Sequence, residues 1–374
     1  MKNIHKIMYE ETESSFLSWA LFVLSRLYGA GVRLRLFAHK IGLLKSKSLP
    51  CVVVSIGNLT AGGSGKTPMT LFLVRLLQKL GRRVAVVSRG YKGGAEKKGG
   101  IASDGKKILM SCEDSGDEPL MIARRLAGTP VMVGHDRFRS GTMAMDRFGA
   151  QALVLDDAFQ HIQLNRDLNI ILIDGQRFLG NRHLLPRGPL REPISSMRRA
   201  DAVIFTKTGD EKDPDVLAIK AGLDVFPGTP VFVCSHIPRI INQGGGKMAG
   251  SDPDFLNGKR LFAFSGIAVN DDFRQTLLSM GGRLDDFREF PDHHDYTDQE
   301  LSDLLEAAEA KNVDFISTTE KDYARIAHRI SWANRLIPVG VDISFGDDAE
   351  KFARFIKTRL TIIERRKSLD LLNS

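Results

Sequence analysis

Beyond residue 50 the chain alternates short, unbroken apolar runs with longer stretches of helical periodicity. The runs at 51–56, 83–88, 130–133, 152–155, 169–173 and 202–206 are strand candidates. They do not alternate apolar with polar, as expected of strands buried on both faces of a parallel sheet. Helical stretches at 68–80, 118–127 and 136–148 separate them, a doubly wound α/β layout. A second α/β section follows, with strands near 230–234, 260–264, 314–318 and 336–341 and helices at 271–280, 298–311 and 347–364. The Gly-rich polar stretch 241–258 reads as a loop or hairpin tip within that section. A boundary is expected near residue 225. The predicted organisation is 1–48 as a basic amphipathic segment, 49–225 as the first domain and 226–374 as a smaller α/β domain.

The N-terminus has a different pattern. Phe16, Trp19, Val23 and Leu27 are spaced 3, 4 and 4 apart, one face of a helix. The uncharged run from Ser14 to Ser25 is 12 residues long, whereas a membrane span needs about 20. Glu10, Glu11 and Glu13 precede it and no small-residue cleavage site follows, which fits a signal peptide poorly. Arg26, Arg33, Arg35, Lys40, Lys45 and Lys47 come next. Two readings stand: a helix lying on a membrane with its cations near anionic head groups, or a helix packed on the domain.

Composition narrows the partners. The 374 residues carry a net charge of +8, and no Asp or Glu occurs from Ser14 to Ala95. Such a segment suits an anionic partner: nucleic acid, anionic lipid or a phosphorylated substrate. The base-reading motifs and interleaved aromatics of nucleic-acid modules are missing. Cys51, Cys112 and Cys234 are far apart without a CxxC pair, which speaks against a disulfide framework or zinc site.

The chemistry starts at "NLTAGGSGKTP", residues 58–68. The phosphate-loop pattern runs from Thr60, where glycine is usual, through Ala61, Gly62, Gly63, Ser64 and Gly65 to Lys66 and Thr67. A strand before it and a helix after it supply the required context. Backbone N–H groups and the helix N-terminus would hold phosphate, Lys66 would reach the β/γ-phosphates and Thr67 would ligate Mg²⁺. The run "ALVLDDAFQH" ends in Asp156 and Asp157, adjacent carboxylates that a hard cation would offset. Gln160 and His161 follow on the same turn. Either or both acids could contact metal. Asp117, before Glu118 and Pro119, reads from sequence alone as a helix N-cap.

These motifs resemble the tetraacyldisaccharide 4'-kinase family, the lipid A 4'-kinases of Gram-negative bacteria. The resemblance covers most of the chain: "IGNLTAGGSGKTP" (56–68), "SRGY" (88–91), "GDEP" (116–119), "GHDR" (134–137), "DDAFQH" (156–161), "LPRGPLREP" (185–193), "RADAVIFTK" (199–207), "FSGIA" (264–268), "FPDHHDYT" (290–297) and "TTEKD" (318–322). It implies a phosphate-loop kinase domain, a smaller α/β domain closing the active-site cleft, and transfer of the γ-phosphate of ATP to the 4'-hydroxyl of tetraacyldisaccharide 1-phosphate, with Mg²⁺. It implies a monomer on the cytoplasmic face of the inner membrane. In this reading Asp117 is the base that takes the hydroxyl proton and His293 assists it, with His294 the alternative. Gln160 joins Thr67, Asp156 and Asp157 at the metal. Arg89, Arg137, His161 and Arg191 would meet substrate anions, Glu192 a sugar hydroxyl, and Tyr91 the sugar or nucleotide. Two departures stand out: Ala158 replaces the glycine of D-D-G-F-Q-H, and Gly266-Ile267-Ala268-Val269-Asn270-Asp271 replaces G-I-G-N-P. An alanine held at positive φ costs about 1 kcal/mol.

Overall fold

The structure, a computed structural model, describes residues 8–9, 16–208, 228–241 and 254–372. Most of the loop expected at 241–258, and the boundary expected near 225, lie outside the described residues.

The first sheet centres on β1 (Val52–Asn58), buried along its whole length. Eight strands run in the order β3-β4-β2-β5-β1-β6-β7-β8. Their ranges are β2 (Val84–Ser88), β3 (Gly100–Asp104), β4 (Pro130–Val133), β5 (Ala152–Leu155), β6 (Leu168–Asp174), β7 (Ala202–Thr206) and β8 (Val231–Val233). All pair in parallel except β3, antiparallel to β4 at one edge. The helices are α1 (Phe16–Lys40), α2 (Lys66–Lys79), the single turn α3 (Cys112–Ser115), α4 (Asp117–Arg125) and α5 (Arg137–Phe148).

The second sheet has the order β11-β10-β12-β13-β9. It comprises β9 (Ser235–Ile240), β10 (Arg260–Ser265), β11 (Arg283–Glu289), β12 (Phe315–Thr319) and β13 (Leu336–Ser344), with α6 (Asn270–Ser279), α7 (Asp298–Ala310) and α8 (Glu320–Ile326). The last helix is α9 (Ala349–Leu372).

Two elements expected in the second section lie with the first. β8 hydrogen-bonds to β7. α9 sends Phe352, Ile356, Leu360 and Ile363 into the core around Val52, Val54 and Leu73, and Arg82 grips Glu364 at 2.6 and 2.7 Å. Periodicity reports that a helix has an apolar face, not which sheet that face covers. Three strands escape an apolar-run search for a common reason: each is a polar edge. β3 reads GIASD, β11 reads RLDDFRE, and β9 carries Pro238. Edge strands have a wet side, and proline is tolerated there because one N–H faces away from the ladder.

α1 is turned inside out relative to an ordinary surface helix. Its buried residues are Ser18, Ser25, Gly29, Val32 and Ala38. Trp19, Leu24, Leu27, Leu34 and Phe37 are exposed, continuing into exposed Ile41, Leu43 and Leu44. The inner face is small so that the backbone can approach: a Cβ on Gly29 would stand 2.7 Å from Leu184 Cδ1. No described helix is long and apolar enough to cross a membrane.

Candidate active site

The phosphate loop leaves β1 at its C-terminal end and is braced from one side. Ala61 N donates to Pro189 O at 2.7 Å, Arg191 N to Leu59 O at 2.7 Å, and Thr60 pairs with Leu190. The segment 185–193 therefore runs alongside the loop and delivers Arg191 to its mouth. Gly62 and Gly65 have φ of 117° and 78°, backbone that L side chains rarely adopt. Gly65 is the N-cap of α2, so the first free N–H groups of that helix face the loop's interior. A Cβ on Gly65 would also strike His236 Nε2 at 2.5 Å.

The register of β1 against β5, with Ser55 opposite Leu155, puts Asp156 and Asp157 just past the strand end beside the loop. Their environments differ sharply. Asp156 is enclosed and accepts from Thr70 Oγ1 at 2.9 Å. Burial, then the charges of Glu118 and Asp157, push its carboxyl well above the ordinary carboxylate range. Asp157 is half-buried, and Lys66, Arg191 and Arg137 outweigh its desolvation and hold its carboxyl below the usual range. Arg191 Nη1 donates to both its oxygens at 3.0 and 2.9 Å, and Lys66 Nζ stands 3.8 Å away. The positive φ of this turn falls on Asp157 (47°), not on Ala158. Alanine in place of the usual glycine therefore carries no backbone strain. Gln160 donates to Asn58 O at 2.8 Å.

A buried carboxylate with a raised proton affinity, the Thr67 hydroxyl at the start of α2, and a Ser64 hydroxyl buried without a partner form an oxygen-rich pocket. That donor set fits a small hard cation shared with phosphate oxygens.

Asp117 opens α4. It does not cap that helix through its side chain, for the N-cap is Gly116. Its carboxylate faces α8 and the 290s loop of the second sheet instead. Arg325 Nη2 donates to Asp117 Oδ2, with His293 Nδ1 at 3.2 Å and Lys321 Nζ at 3.7 Å from the same oxygen. Burial opposes the charge, but His293, Lys321 and Arg325 together hold the carboxyl far below its usual range. His294 turns away and pairs with Glu300 at 3.1 Å, so His293 is the histidine that reaches Asp117.

A cavity of about 1540 Å³ lies between the two sheets. Gly62 to Thr67, Asp156, Asp157, Gln160, His161, Arg89, Tyr91, Arg137 and Arg191 line one side. His293, Lys321, Asp292 and α6 residues line the other. Thr60, Ala61, Asp117 and Glu192 are outside its wall. Glu192 is wholly buried, accepting from Arg35 Nη2 at 2.9 Å and from Arg199. Burial lowers the His161 imidazole to about 4 and the Arg137 guanidinium to about 10, so His161 is neutral and Arg137 charged at pH 7. Arg89 pairs with Glu96 at 2.6 Å, and Tyr91 stacks edge-on to His293, centroids 5.8 Å apart.

Sequence reasoning gave no role to Lys207, His236, Asp272, Lys321 or Arg325. Lys207 Nζ bridges Asp174 at 2.8 Å and Asp272 at 2.7 Å across the cleft. Lys207 and Lys321 stood inside quoted motifs. Asp272 and Arg325 carry no local signature, because their partners lie 65 and 208 residues away.

The sequence profile of the tetraacyldisaccharide-1-P 4'-kinases matches residues 17–361. The tetraacyldisaccharide 4'-kinase of Desulfatibacillum aliphaticivorans is 41% identical over 352 residues, 92% of this chain and 93% of the relative. That of Syntrophus aciditrophicus is 44% identical over 315 residues, 82% and 84% of the two chains. A crystal structure of LpxK from Aquifex aeolicus in complex with ATP superimposes with a TM-score of 0.72 at 31% identity, covering 92% of this chain and all of that one.

Proposed function

The chain belongs to the tetraacyldisaccharide-1-P 4'-kinase family, and from that premise we propose how its site works. The protein is an ATP-dependent kinase that moves the γ-phosphate of ATP to the 4'-hydroxyl of tetraacyldisaccharide 1-phosphate, forming lipid IVA in lipid A biosynthesis. One observation carries the site assignment: the phosphate loop with its acid pair and His293 from the second sheet line one cavity, and His293 reaches Asp117 of α4 just behind the wall.

The loop from Thr60 to Thr67 holds the triphosphate, Thr60 and Ala61 through backbone anchoring and Lys66 through its charge. Thr67 and Asp156 would hold Mg²⁺, with Gln160 beside them; when bound, the ion offsets phosphate charge. Asp157 keeps Arg191 and Lys66 aimed at the transferring group. Arg137 and Arg89 face the remaining anionic oxygens, and His161 and Tyr91 the sugar. Glu192 acts from inside the wall by fixing Arg35 and Arg199. The hydroxyl oxygen attacks the γ-phosphorus, the bond to the β-phosphate oxygen breaks, ADP leaves, and the Asp117–His293 pair accepts the hydroxyl proton.

The substrate's acyl chains reside in a bilayer. The outward apolar face of α1, flanked by Arg26, Arg33 and Lys40, would rest on the cytoplasmic face of the inner membrane. Tyr28 OH of α1 donates to Arg191 O at 2.9 Å, a contact that supports this reading.

The test is incubation with γ-labelled ATP, Mg²⁺ and tetraacyldisaccharide 1-phosphate in detergent, beside Asp117→Ala. Label enters the lipid with the wild type and falls at least about 100-fold in the variant. Undiminished labelling by the variant would remove Asp117 from the chemistry. ATP hydrolysis without lipid label would favour a nucleotide switch.

A further inference from the structure

The dipeptide Met8–Tyr9 lies against the outer side of the phosphate loop. Met8 O accepts from Asn181 N at 3.0 Å. A Cβ on Gly180 would stand 2.7 Å from that same oxygen, so glycine makes room for the contact. Tyr9 OH donates to Ala61 O at 3.1 Å. Burial, outweighing the charge of Arg177, raises the phenol's affinity for its proton, and the hydroxyl remains a donor at neutral pH. Both residues line a small cavity of about 180 Å³ behind the loop, shared with Phe178, Ala268 and Val269. Neither lines the large cavity.

Ala61 is thereby held through both of its backbone groups. Its N–H donates to Pro189 O at 2.7 Å, and its carbonyl accepts from Tyr9. In a trans peptide the carbonyl and the following N–H point in opposite directions. An Ala61 carbonyl turned outward to Tyr9 therefore aims the Gly62 N–H the other way, toward the large cavity that Gly62 lines. Such inward N–H groups form the anion-binding concavity of a phosphate loop. The loop alone does not secure that aim. Gly62 has φ of 117°, and glycine adopts either sign of φ with similar ease, so the Ala61–Gly62 peptide can turn over at little cost. Within 4 Å of a Cβ built on Gly62, the tyrosine oxygen, at 3.7 Å, is the one described atom outside the adjoining residues.

We propose that Tyr9 is a positioning residue for nucleotide binding, its hydroxyl fixing the Ala61–Gly62 peptide so that Gly62 N–H faces the triphosphate before ATP arrives. This rests on the reading that the loop holds the triphosphate. Tyr9 stays off the nucleotide and acts through the Ala61 carbonyl. Without the hydroxyl, part of the population turns that carbonyl oxygen toward the phosphates, a repulsive arrangement. ATP must then reverse the peptide on binding, and its apparent affinity falls with the fraction that is competent. Bound ATP restores the aim, so the chemical step keeps its rate.

The experiment compares the full chain with Tyr9→Phe, which keeps the ring and removes the oxygen. KM for ATP in the lipid-labelling assay should rise about three- to tenfold, the size of one lost hydrogen bond. Both kcat and KM for the lipid should stay within about twofold. Binding of adenylyl imidodiphosphate with Mg²⁺, measured calorimetrically without lipid, should weaken by the same factor as KM. Labelling with ¹³C-alanine and ¹⁵N-glycine selects Ala–Gly peptides for NMR, and loss in Ala61→Ser identifies the Gly62 signal. In Tyr9→Phe without nucleotide that signal should shift or split, and saturating analogue should bring it to the wild-type bound position. An unchanged analogue affinity, or a Gly62 signal identical in the two proteins, would overturn the proposal, as would a fall in kcat with KM for ATP unmoved. A wild type that binds the analogue but labels no lipid would sink the kinase reading while leaving the role of Tyr9 to be decided by the analogue's affinity. A wild type that does not bind the analogue would overturn both.

Discussion

A fully enclosed carboxylate that faces two other acids, with one threonine hydroxyl bond in its favour, destabilises a fold unless something cationic joins it. Asp156 is in that position. Because the fold raises its proton affinity, the folded state keeps the proton to higher pH than the unfolded chain does. Stability from this group is therefore complete below the ordinary carboxylate value of about 4 and declines as pH rises toward the elevated folded value. Asp156→Asn removes that slope. In EDTA, calorimetry should show the variant melting a few degrees above the wild type at pH 8, with the gap narrowing at pH 5. Lipid phosphorylation should nonetheless fall at least about 100-fold. Equal melting temperatures at both pH values would mean that Asp156 is not strained by its surroundings. Much of this site was legible as residues: a Gly-rich loop and an acidic strand end announce themselves in a few consecutive letters. Their division of labour was not. Asp156 and Asp157 are adjacent letters, and their difference comes from Thr70, Lys66 and Arg191, which only folding brings to them.

Among the elements, α1 most clearly breaks the ordinary rule, with serine, glycine and alanine inward and tryptophan, leucine and phenylalanine outward. The sequence showed a helix with one apolar face; it could not show whether that face was the packed one, because periodicity is the same in both cases. Leu27 and Leu34, at 66% and 69% exposure, make the two cases separable. Leu27→Asp combined with Leu34→Asp removes no buried contact, so the melting temperature should change by less than about 2 °C, consistent with surface substitutions within about 0.5 kcal/mol. Co-sedimentation with anionic phospholipid vesicles should drop several-fold. Gly29→Leu is the converse case: it drives a side chain into Leu184 and should destabilise by about 1–3 kcal/mol. If the double aspartate variant sediments like the wild type, membrane docking through this face is wrong.

At the scale of the whole molecule the two sheets are joined by ion pairs of distant sequence origin. Arg125 of α4 grips Glu320 at 2.9 Å and also Asp342, Arg325 grips Asp117, and Lys207 with Arg177 grips Asp272. The existence of two α/β sections was legible in runs of valine, isoleucine and leucine. The clasp was not, since an aspartate at the start of α6 reads only as a favourable first-turn acid. Asp272 is half-buried, with Lys207 at 2.7 Å and Arg177 at 2.5 Å. Burial alone would raise its carboxyl, but these two cations overcome that and lower it. The clasp is therefore present above the ordinary carboxylate range and weakens as pH falls below about 4. At neutral pH it closes the side of the cleft where α6 faces the phosphate loop, and ATP binding should require that closure. Asp272→Asn leaves the shape and removes the charge. KM for ATP should rise about tenfold, equivalent to about 1.4 kcal/mol, with kcat changing by less. Small-angle scattering without nucleotide should give a larger radius of gyration than the wild type, and saturating ATP should restore much of the difference. Raising salt should reproduce part of the KM effect in the wild type and little in the variant. Unchanged scattering together with an unchanged KM would show that the sheets are held by Arg125 and Arg325 alone, with Asp272 a bystander at the cleft edge.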